Sequence, residues 1–326
     1  NKTYTGNGST QSITLDGDTD LQPDLLWIKC RSAIELHTWV DSVRGDSTSN
    51  TGYYYFETQS TGAEQAHSGN TLVDAITSDG FNIGNNDQVN KSSGTFVAWA
   101  WKESATAGLD IITWAGNETA KTISHNLSAV PHLIIVKVRG TAKQWTCYHK
   151  DMTADPNNAG IFLQSTAVPT TGTAGYFNNT VPTSSVFSVG TSTNVNQNSD
   201  NVMGYCWTSI QGFSKFGEYT GNGNADGPFI YTGFRPAWFM TKRTDAVGDW
   251  RIRDVKSEPG QPLDAPLYAN TNIAANDGDN DWDVVSNGLK MRGSGTGENA
   301  SGGTYIYAAF AEAPLVNSNG VPCNAR

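Results

Sequence analysis

The chain has 326 residues, of which 16% are charged, with a net charge of −10 and a sequence pI near 4.9. A surface that follows phosphates needs clustered Lys and Arg, and the sequence shows no such cluster, so nucleic acid is not an expected partner. No stretch approaches the roughly 18 apolar residues of a membrane helix, whereas 34 Gly and abundant Thr, Asn and aromatic residues favour an all-β protein rich in turns.

The first recurring motif opens the chain. Residues 4–8 read Tyr-Thr-Gly-Asn-Gly, and the same five residues return at 219–223. A weaker copy, Trp-Ala-Gly-Asn, occupies residues 114–117. Recurrence at long spacing is the signature of internal repeats.

The second motif is a proline followed by an almost continuously apolar strand. The prolines are Pro23, Pro131 and Pro236, spaced by 108 and 105 residues. Because apolar residues occupy both faces of these strands, we expect both faces to be covered. Proline is tolerated at a strand start, where no ladder hydrogen bond is needed.

Each of these strands ends in basic residues. A lysine lies six positions after each proline, and an arginine follows it: Lys29 with Arg31, Lys137 with Arg139, and Lys242 with Arg243. Repetition favours a structural role, such as salt bridges to Asp41, His149 or Asp254. A shared ligand site is the alternative.

Two further motifs close each copy. A tryptophan follows the lysine by eight to ten residues, at Trp39, Trp145 and Trp250. The last strand alternates apolar side chains, as at Val97, Trp99 and Trp101, and the residues between them are largely small. Alternation with period two predicts that the first set faces the core.

These motifs predict three tandem all-β repeats, each a β-sandwich or jelly roll, packed against one another. The predicted repeats are residues 1–105, residues 106–212, and residues 213–326 with a C-terminal tail. A propeller is the alternative all-β fold, but its blades are only about 40–50 residues long.

Catalytic motifs are not visible in the sequence. The five histidines occupy no equivalent positions, and there is no G-x-S-x-G turn. No paired carboxylates of the glycosidase type occur on one strand. We therefore predict that the chain is not an enzyme and has no catalytic residues.

Acidic turns offer one candidate cofactor, Ca²⁺. Alternating acids occupy two stretches: Asp16, Asp18 and Asp20, and Asp277, Asp279, Asp281 and Asp283. Neither completes an EF-hand, since the twelfth position lacks the bidentate Glu. A loop calcium site is one interpretation and a solvated acidic turn is the other; no other cofactor is expected. The cysteines, Cys30, Cys147, Cys206 and Cys323, lack zinc-site spacing, which favours buried free thiols over a Cys30–Cys147 pair.

Aromatic residues outside the repeated pattern are candidates for stacking on sugar rings. They are Tyr53, Tyr54, Tyr55, Trp114 and Trp282. Core packing is the alternative for each of them, because Trp is mostly buried.

The motifs together resemble a family of tailed-phage virion structural proteins, many of them marine, that are tail-fibre-like or capsid-associated. The resemblance rests on the motifs above, on residues 226–238 and 302–314, and on the terminal Asn-Ala-Arg. It implies concanavalin-like (lectin-like) sandwiches, a place on the outside of the tail or capsid, and other virion proteins as partners. It also implies a homo-oligomer, and it supplies no catalytic residues.

The expected function is therefore that of a virion surface structural protein, a fibre or a capsid decoration, that binds host glycan or neighbouring virion proteins. A polysaccharide depolymerase and a purely architectural spacer are the alternatives. Function is expected where the copies differ, in residues 53–67, 157–181 and 245–283.

Overall fold

The computed structural model describes residues 1–17, 20–45, 52–66, 69, 71–152, 155–172, 174–276 and 282–312. These residues form a nearly all-β, sandwich-like structure, which confirms the predicted fold class. We call residues 1–105, 106–212 and 213–312 the first, second and third segments. Their boundaries stay a prediction.

The strands and short helices follow in chain order. The first segment contains β1 (Lys2–Thr5), β2 (Gln11–Thr14), β3 (Leu25–Cys30), β4 (Thr38–Asp41), β5 (Tyr55–Phe56), β6 (Val73–Thr77), β7 (Gly80–Ile83), α1 (Asp87–Asn90) and β8 (Thr95–Trp101). The second contains β9 (Leu109–Ala115), β10 (Lys121–Ser124), β11 (Leu133–Val138), β12 (Thr146–His149), a 3₁₀ turn (Pro156–Asn158), β13 (Ile161–Phe162), β14 (Val186–Val189), α2 (Thr193–Asn196) and β15 (Asn201–Trp207). The third contains β16 (Ser214–Thr220), β17 (Phe229–Tyr231), β18 (Trp238–Arg243), β19 (Trp250–Asp254), β20 (Leu267–Tyr268), β21 (Trp282–Val285), β22 (Gly288–Met291), α3 (Thr296–Asn299) and β23 (Thr304–Phe310).

Each segment pairs a large sheet with a small one. The large antiparallel sheets have corresponding strand orders: β1-β8-β3-β4-β5, β9-β15-β11-β12-β13 and β16-β23-β18-β19-β20. The small, outer sheets are β2-β7-β6, β10-β14 and β17-β22-β21. An apolar layer between the two sheets of each segment makes it a sandwich.

The large sheets turn their other faces toward one common core. This central cluster combines Trp27 and Trp99 of the first segment with Tyr205 of the second and Trp238 of the third. The Trp27 and Trp238 rings lie 6.5 Å apart, centroid to centroid. The alternation predicted for the last strands is confirmed, since Val97 and Trp99 lie in this cluster and Trp101 packs against it. The covering of both faces of the proline-led strands is confirmed too.

The Gly-Asn motif has a packing explanation. A Cβ on Gly6 would lie 2.2 Å from the carbonyl oxygen of Lys91, so only glycine lets the chain pass the end of α1. The next backbone N–H, that of Asn7, donates to the buried Asn90 side chain at 2.8 Å. Gly116 and Gly221 have equally close backbone neighbours, and Asn196 and Asn299 accept the equivalent bonds.

The recurrent lysines join neighbouring segments, and the predicted salt bridges are wrong. Each buried amine donates to a backbone carbonyl of another segment: Lys29 to Asn272 at 3.1 Å, Lys137 to Thr61 at 2.9 Å, and Lys242 to Thr166 at 2.9 Å. The first segment thus reaches the third, the second reaches the first, and the third reaches the second. Backbone carbonyls serve as partners because they are the acceptors these loops present.

A second ring of contacts follows the same cyclic order. The Trp145 indole N–H donates to the Glu57 carbonyl, and the Trp250 indole N–H donates to the Phe162 carbonyl. In the first segment the equivalent donor is His37, whose Nε2 lies 2.9 Å from the Tyr268 carbonyl oxygen. The strand register thus matches Trp145 and Trp250 with His37, and the predicted equivalence with Trp39 is wrong.

Acidic groups at the ends of β4 and β19 also bridge segments. Asp41 accepts from Arg44 within the first segment and from the Tyr205 hydroxyl of the second at 2.7 Å. Asp254 accepts from the Trp99 indole of the first segment at 2.6 Å. The three segments therefore share buried polar contacts as well as an apolar core.

The described cysteines have no disulfide partner, and the described helices are short. Cys30, Cys147 and Cys206 are buried free thiols, as predicted, while Cys323 lies outside the described residues. Within the described part of the chain, no helix has the length and apolar character needed to cross a membrane.

Candidate functional site

The outer sheet of the third segment presents two aromatic side chains to solvent. Side chains alternate along β17, so Ile230 points into the sandwich while Phe229 and Tyr231 point outward. Phe229 is 48% exposed and Tyr231 is 56% exposed. Two exposed rings two residues apart on one strand share one face.

The neighbouring strand β22 shapes this face. Phe229 lies opposite Lys290, and Tyr231 lies opposite Gly288. A Cβ on Gly288 would lie 3.0 Å from the Phe229 ring and 2.2 Å from the Ile230 carbonyl oxygen. Glycine therefore lets β17 and the Phe229 ring lie close over β22.

Charged groups flank the two rings. The Lys290 amine forms an ion pair with Asp226 at 2.6 Å, and Asp283, opposite Lys290 on β21, pairs with Arg292. We call Phe229, Tyr231, Lys290, Asp283 and Gly288 the aromatic face. Aromatic rings offer an apolar surface for the C–H groups of a sugar, and paired charged groups offer donors and acceptors for its hydroxyls.

The other two segments lack this aromatic pair. The pairings Ile13–Phe81, Ile123–Phe187 and Ile230–Leu289 align β2, β10 and β17. The outward positions that hold Phe229 and Tyr231 are Ser12 and Thr14 in the first segment, and Thr122 and Ser124 in the second. Since the shared scaffold does not require aromatic residues at these positions, the pair is a specific addition to the third segment.

The predicted tyrosine run enters the core of the first segment at β5, and Tyr54 lies beside the second segment. Tyr55 is buried and its hydroxyl donates to Gln65, while Tyr53 and Tyr54 are half-buried. The Arg139 guanidinium of the second segment lies 5.8 Å from the Tyr54 ring centroid. Tyr55 is therefore a core residue, whereas Tyr53 and Tyr54 keep partly exposed side chains and stay predicted ligand-binding residues.

Trp114 and Trp282 are core residues, which corrects their prediction as exposed stacking groups. Trp114 packs against Phe187 with ring centroids 5.9 Å apart. Trp282 is fully buried beneath the aromatic face, and its indole N–H donates to Glu298 at 3.2 Å. In both cases the alternative of core packing is the arrangement found.

The predicted calcium ligands are only partly described. Asp277, Asp279 and Asp281 lie outside the described residues, as does Asp18. Asp283 is held by Arg292, and Asp16 by Lys2 and Lys256. Within the described ranges, no three His, Cys, Asp or Glu side chains are grouped to hold a metal ion. The calcium site stays a prediction.

A partly buried serine–histidine pair occurs in the second segment. Ser209 Oγ lies 2.9 Å from His132 Nδ1, and the same Oγ accepts from the Phe216 N–H. Among the described contacts, no carboxylate is bonded to the other nitrogen of His132, so the pair lacks the orienting acid of a triad. Burial lowers the pKa of His132.

Fold and surface together define an all-β, sandwich-like protein that carries the aromatic face on its third segment. Residues 1–314 match the family described as Domain of unknown function (DUF7483), and the chain belongs to that family. No curated protein and no solved structure matches the chain.

Proposed function

We propose that the chain is a structural protein of a phage virion surface, a fibre or capsid decoration, that binds host glycan through the aromatic face. The exposed pair Phe229 and Tyr231 carries the glycan part of this proposal. Its place in one segment only is the property expected of a binding site added to a repeated scaffold. The virion part rests on the resemblance of the motifs.

The interlocked core supports a mechanical role for the same chain. Buried Trp and Lys contacts link each segment to the next in a closed order. A binding face on such a body is held rigidly, which limits the entropy lost when a polysaccharide binds. Other virion proteins are the proposed further partners.

A polysaccharide-binding measurement tests the glycan role. The double variant Phe229→Ser, Tyr231→Thr rewrites β17 as the Ser-Ile-Thr sequence of residues 12–14, which this fold already accommodates in β2. Loss of two stacking contacts, each about 1 kcal/mol, should weaken binding about 30-fold. Val181→Ser, a change at an exposed apolar residue of the second segment, is the matched control and should bind normally.

The outcomes are separable. Equal binding by the wild type and the double variant would refute the aromatic face as the site. No binding of any host polysaccharide by the wild type would refute the adhesin role. Shortening of the polysaccharide during incubation would favour the depolymerase alternative. A gold-labelled antibody against this chain should bind the surface of intact phage particles. Absence of the label from the particles would contradict the virion location.

A further inference from the structure

A surface pocket lies where the second and third segments meet. Its volume is about 370 Å³, and Thr166 of the second segment lines one side. The third segment supplies Arg243, Gly248, Arg251 and Gly297. It is separate in residues from the aromatic face.

The first of two glycines that open this pocket is Gly297 of α3. The equivalent residues of α1 and α2 are Gln88 and Asn194. The Gln88 side chain crosses to strand β4 and donates to Thr38 Oγ1 at 2.8 Å. The Asn194 side chain accepts from the Gln144 N–H at 3.3 Å. Glycine in the third segment removes this bridging side chain.

The second glycine, Gly248, lies in the loop before β19. The equivalent residues are Glu35 and Lys143, six positions after the recurrent lysine in every segment. Glu35 forms an ion pair with Lys91 at 2.9 Å, and Lys143 donates to Thr193 at 3.0 Å. Both contacts close the gap between loop and short helix. With glycine at residues 248 and 297, the gap stays open.

An arginine occupies the strand position beside the opened gap. Arg251 stands where β4 and β12 have Thr38 and Thr146. A Cβ on Gly297 would lie 1.8 Å from Arg251 Nη1, so the guanidinium occupies the space that a side chain at residue 297 would fill. Arg251 Nε and Nη1 are buried with no hydrogen-bond partner among the described residues. Buried donors without acceptors are costly, which makes an oxygen-rich ligand favourable here.

The nearby acids are mostly engaged elsewhere. Asp245 is bound by both Arg243 Nε and Nη2, and Asp249 in the pocket wall accepts from the Asn270 amide at 2.7 Å. Glu298 lies 2.7 Å from Arg253 but 4.0 Å from Arg251. Arg251 therefore has no carboxylate oxygen closer than 4.0 Å among the described ion pairs, whereas Arg243 and Arg253 each hold one, at 2.9 Å and 2.7 Å.

The recurrent lysine of this segment fixes the pocket walls. Lys242 donates to the carbonyls of Thr166 and Gly248, and both residues line the pocket. The pocket shape is thus set by the same contact that joins the two segments.

We propose that this pocket binds the carboxylate of an acidic sugar unit, with Arg251 as the recognising group. A planar guanidinium matches a carboxylate in geometry and charge. Pockets that bind small molecules have volumes of about 300 Å³ or more, so the volume of this pocket suits a single sugar ring. The choice of a sugar acid rests on the proposed glycan-binding function, whereas the anion site rests on the pocket alone.

Calorimetric titration with D-glucuronate, D-glucose and acetate tests the proposal. The wild type should bind glucuronate at least tenfold more tightly than either glucose, which lacks the carboxylate, or acetate, which lacks the ring. The double variant Arg251→Thr, Gly297→Gln rebuilds the Thr38–Gln88 arrangement of the first segment and should lose glucuronate binding. Gly248→Glu, which restores the residue of the first segment and places an acid in the pocket, should do the same.

Far-ultraviolet circular dichroism should be unchanged in both pocket variants, and the urea midpoint of Arg251→Thr, Gly297→Gln should be no lower than that of the wild type, because the change removes two buried unpaired donors. Full glucuronate binding by a folded pocket variant would overturn the site. Equal affinity for acetate and glucuronate would overturn the sugar-acid assignment. The variant Phe229→Ser, Tyr231→Thr should keep wild-type glucuronate affinity. This variant therefore tests only the aromatic face, and the pocket variants test only the pocket.

Discussion

Lys137→Met tests whether the recurrent lysines hold the segments together. The Lys137 amine is buried and donates to two carbonyls, Thr61 of the first segment and Lys143 of its own loop. Methionine keeps the apolar stem but removes the donor and leaves both carbonyls unpaired. An unpaired buried acceptor costs about 1–3 kcal/mol, so for two carbonyls we expect the free energy of unfolding to fall by about 2–6 kcal/mol at pH 9.

The penalty should also depend on pH. Burial lowers the pKa of Lys137 to about 7, against about 10.4 in an unfolded chain. Between these values the unfolded state binds more protons, so stability rises with pH across this window. For one lysine the gain from pH 7 to pH 9 is about 2 kcal/mol. The methionine variant lacks this gain, so its penalty should be about 2 kcal/mol larger at pH 9 than at pH 7.

Urea unfolding followed by tryptophan fluorescence at both pH values measures the effect. Lys121→Met is the control, because its amine bonds a carbonyl at the surface, and its penalty should be small. A negligible penalty for Lys137→Met at pH 9 would refute the joining role. A penalty that is the same at pH 7 and pH 9 would refute the lowered pKa.

Two further changes probe buried polar groups. Burial, followed by the charge of Lys29, lowers the pKa of His37 to about 3; stability should therefore fall from pH 6.5 to pH 4, and His37→Gln should remove up to about 1.4 kcal/mol per pH unit of that slope, whereas parallel stability curves would contradict this. Arg253→Met strands the buried Glu298 and should cost about 3–5 kcal/mol in urea unfolding. Replacing both residues by valine, as at the equivalent Val40 and Val89, should recover most of it, and a double variant no more stable than Arg253→Met would argue against the pair.

Much of the fold could be predicted from the sequence because side chains alternate between the two faces of a strand. Val97, Trp99 and Trp101 share a face in any strand, and their apolar character required a core on that side. The same argument could not show that this core is common to all three large sheets. Which face meets another segment depends on packing at long sequence separation.

The predicted equivalence of Trp39 with Trp145 and Trp250 was wrong for a chemical reason. Trp145 and Trp250 donate a ring N–H to a neighbouring carbonyl, and the imidazole of His37 does the same. Matching by residue type selected Trp39, two positions away. That an imidazole and two indoles make the same contact becomes evident only once the strand register is known.

The role of the lysines and the aromatic face were missed for different reasons. The lysine partners are backbone carbonyls, which every residue has, so no sequence signal identifies them. A signal for Phe229 and Tyr231 did exist, in the alignment of β17 with Ser12 and Thr14. That strand is only three residues long, and the residues around it differ between the segments. The four recurring motifs therefore did not align β17 with β2 and β10.

Differential scanning calorimetry of the whole chain tests most directly the claim that the three segments form one interlocked body. A shared core and cyclic buried contacts predict a single transition, with calorimetric and van't Hoff enthalpies equal. Separate transitions, or a calorimetric enthalpy about three times the van't Hoff value, would show that the segments unfold independently and would contradict the account.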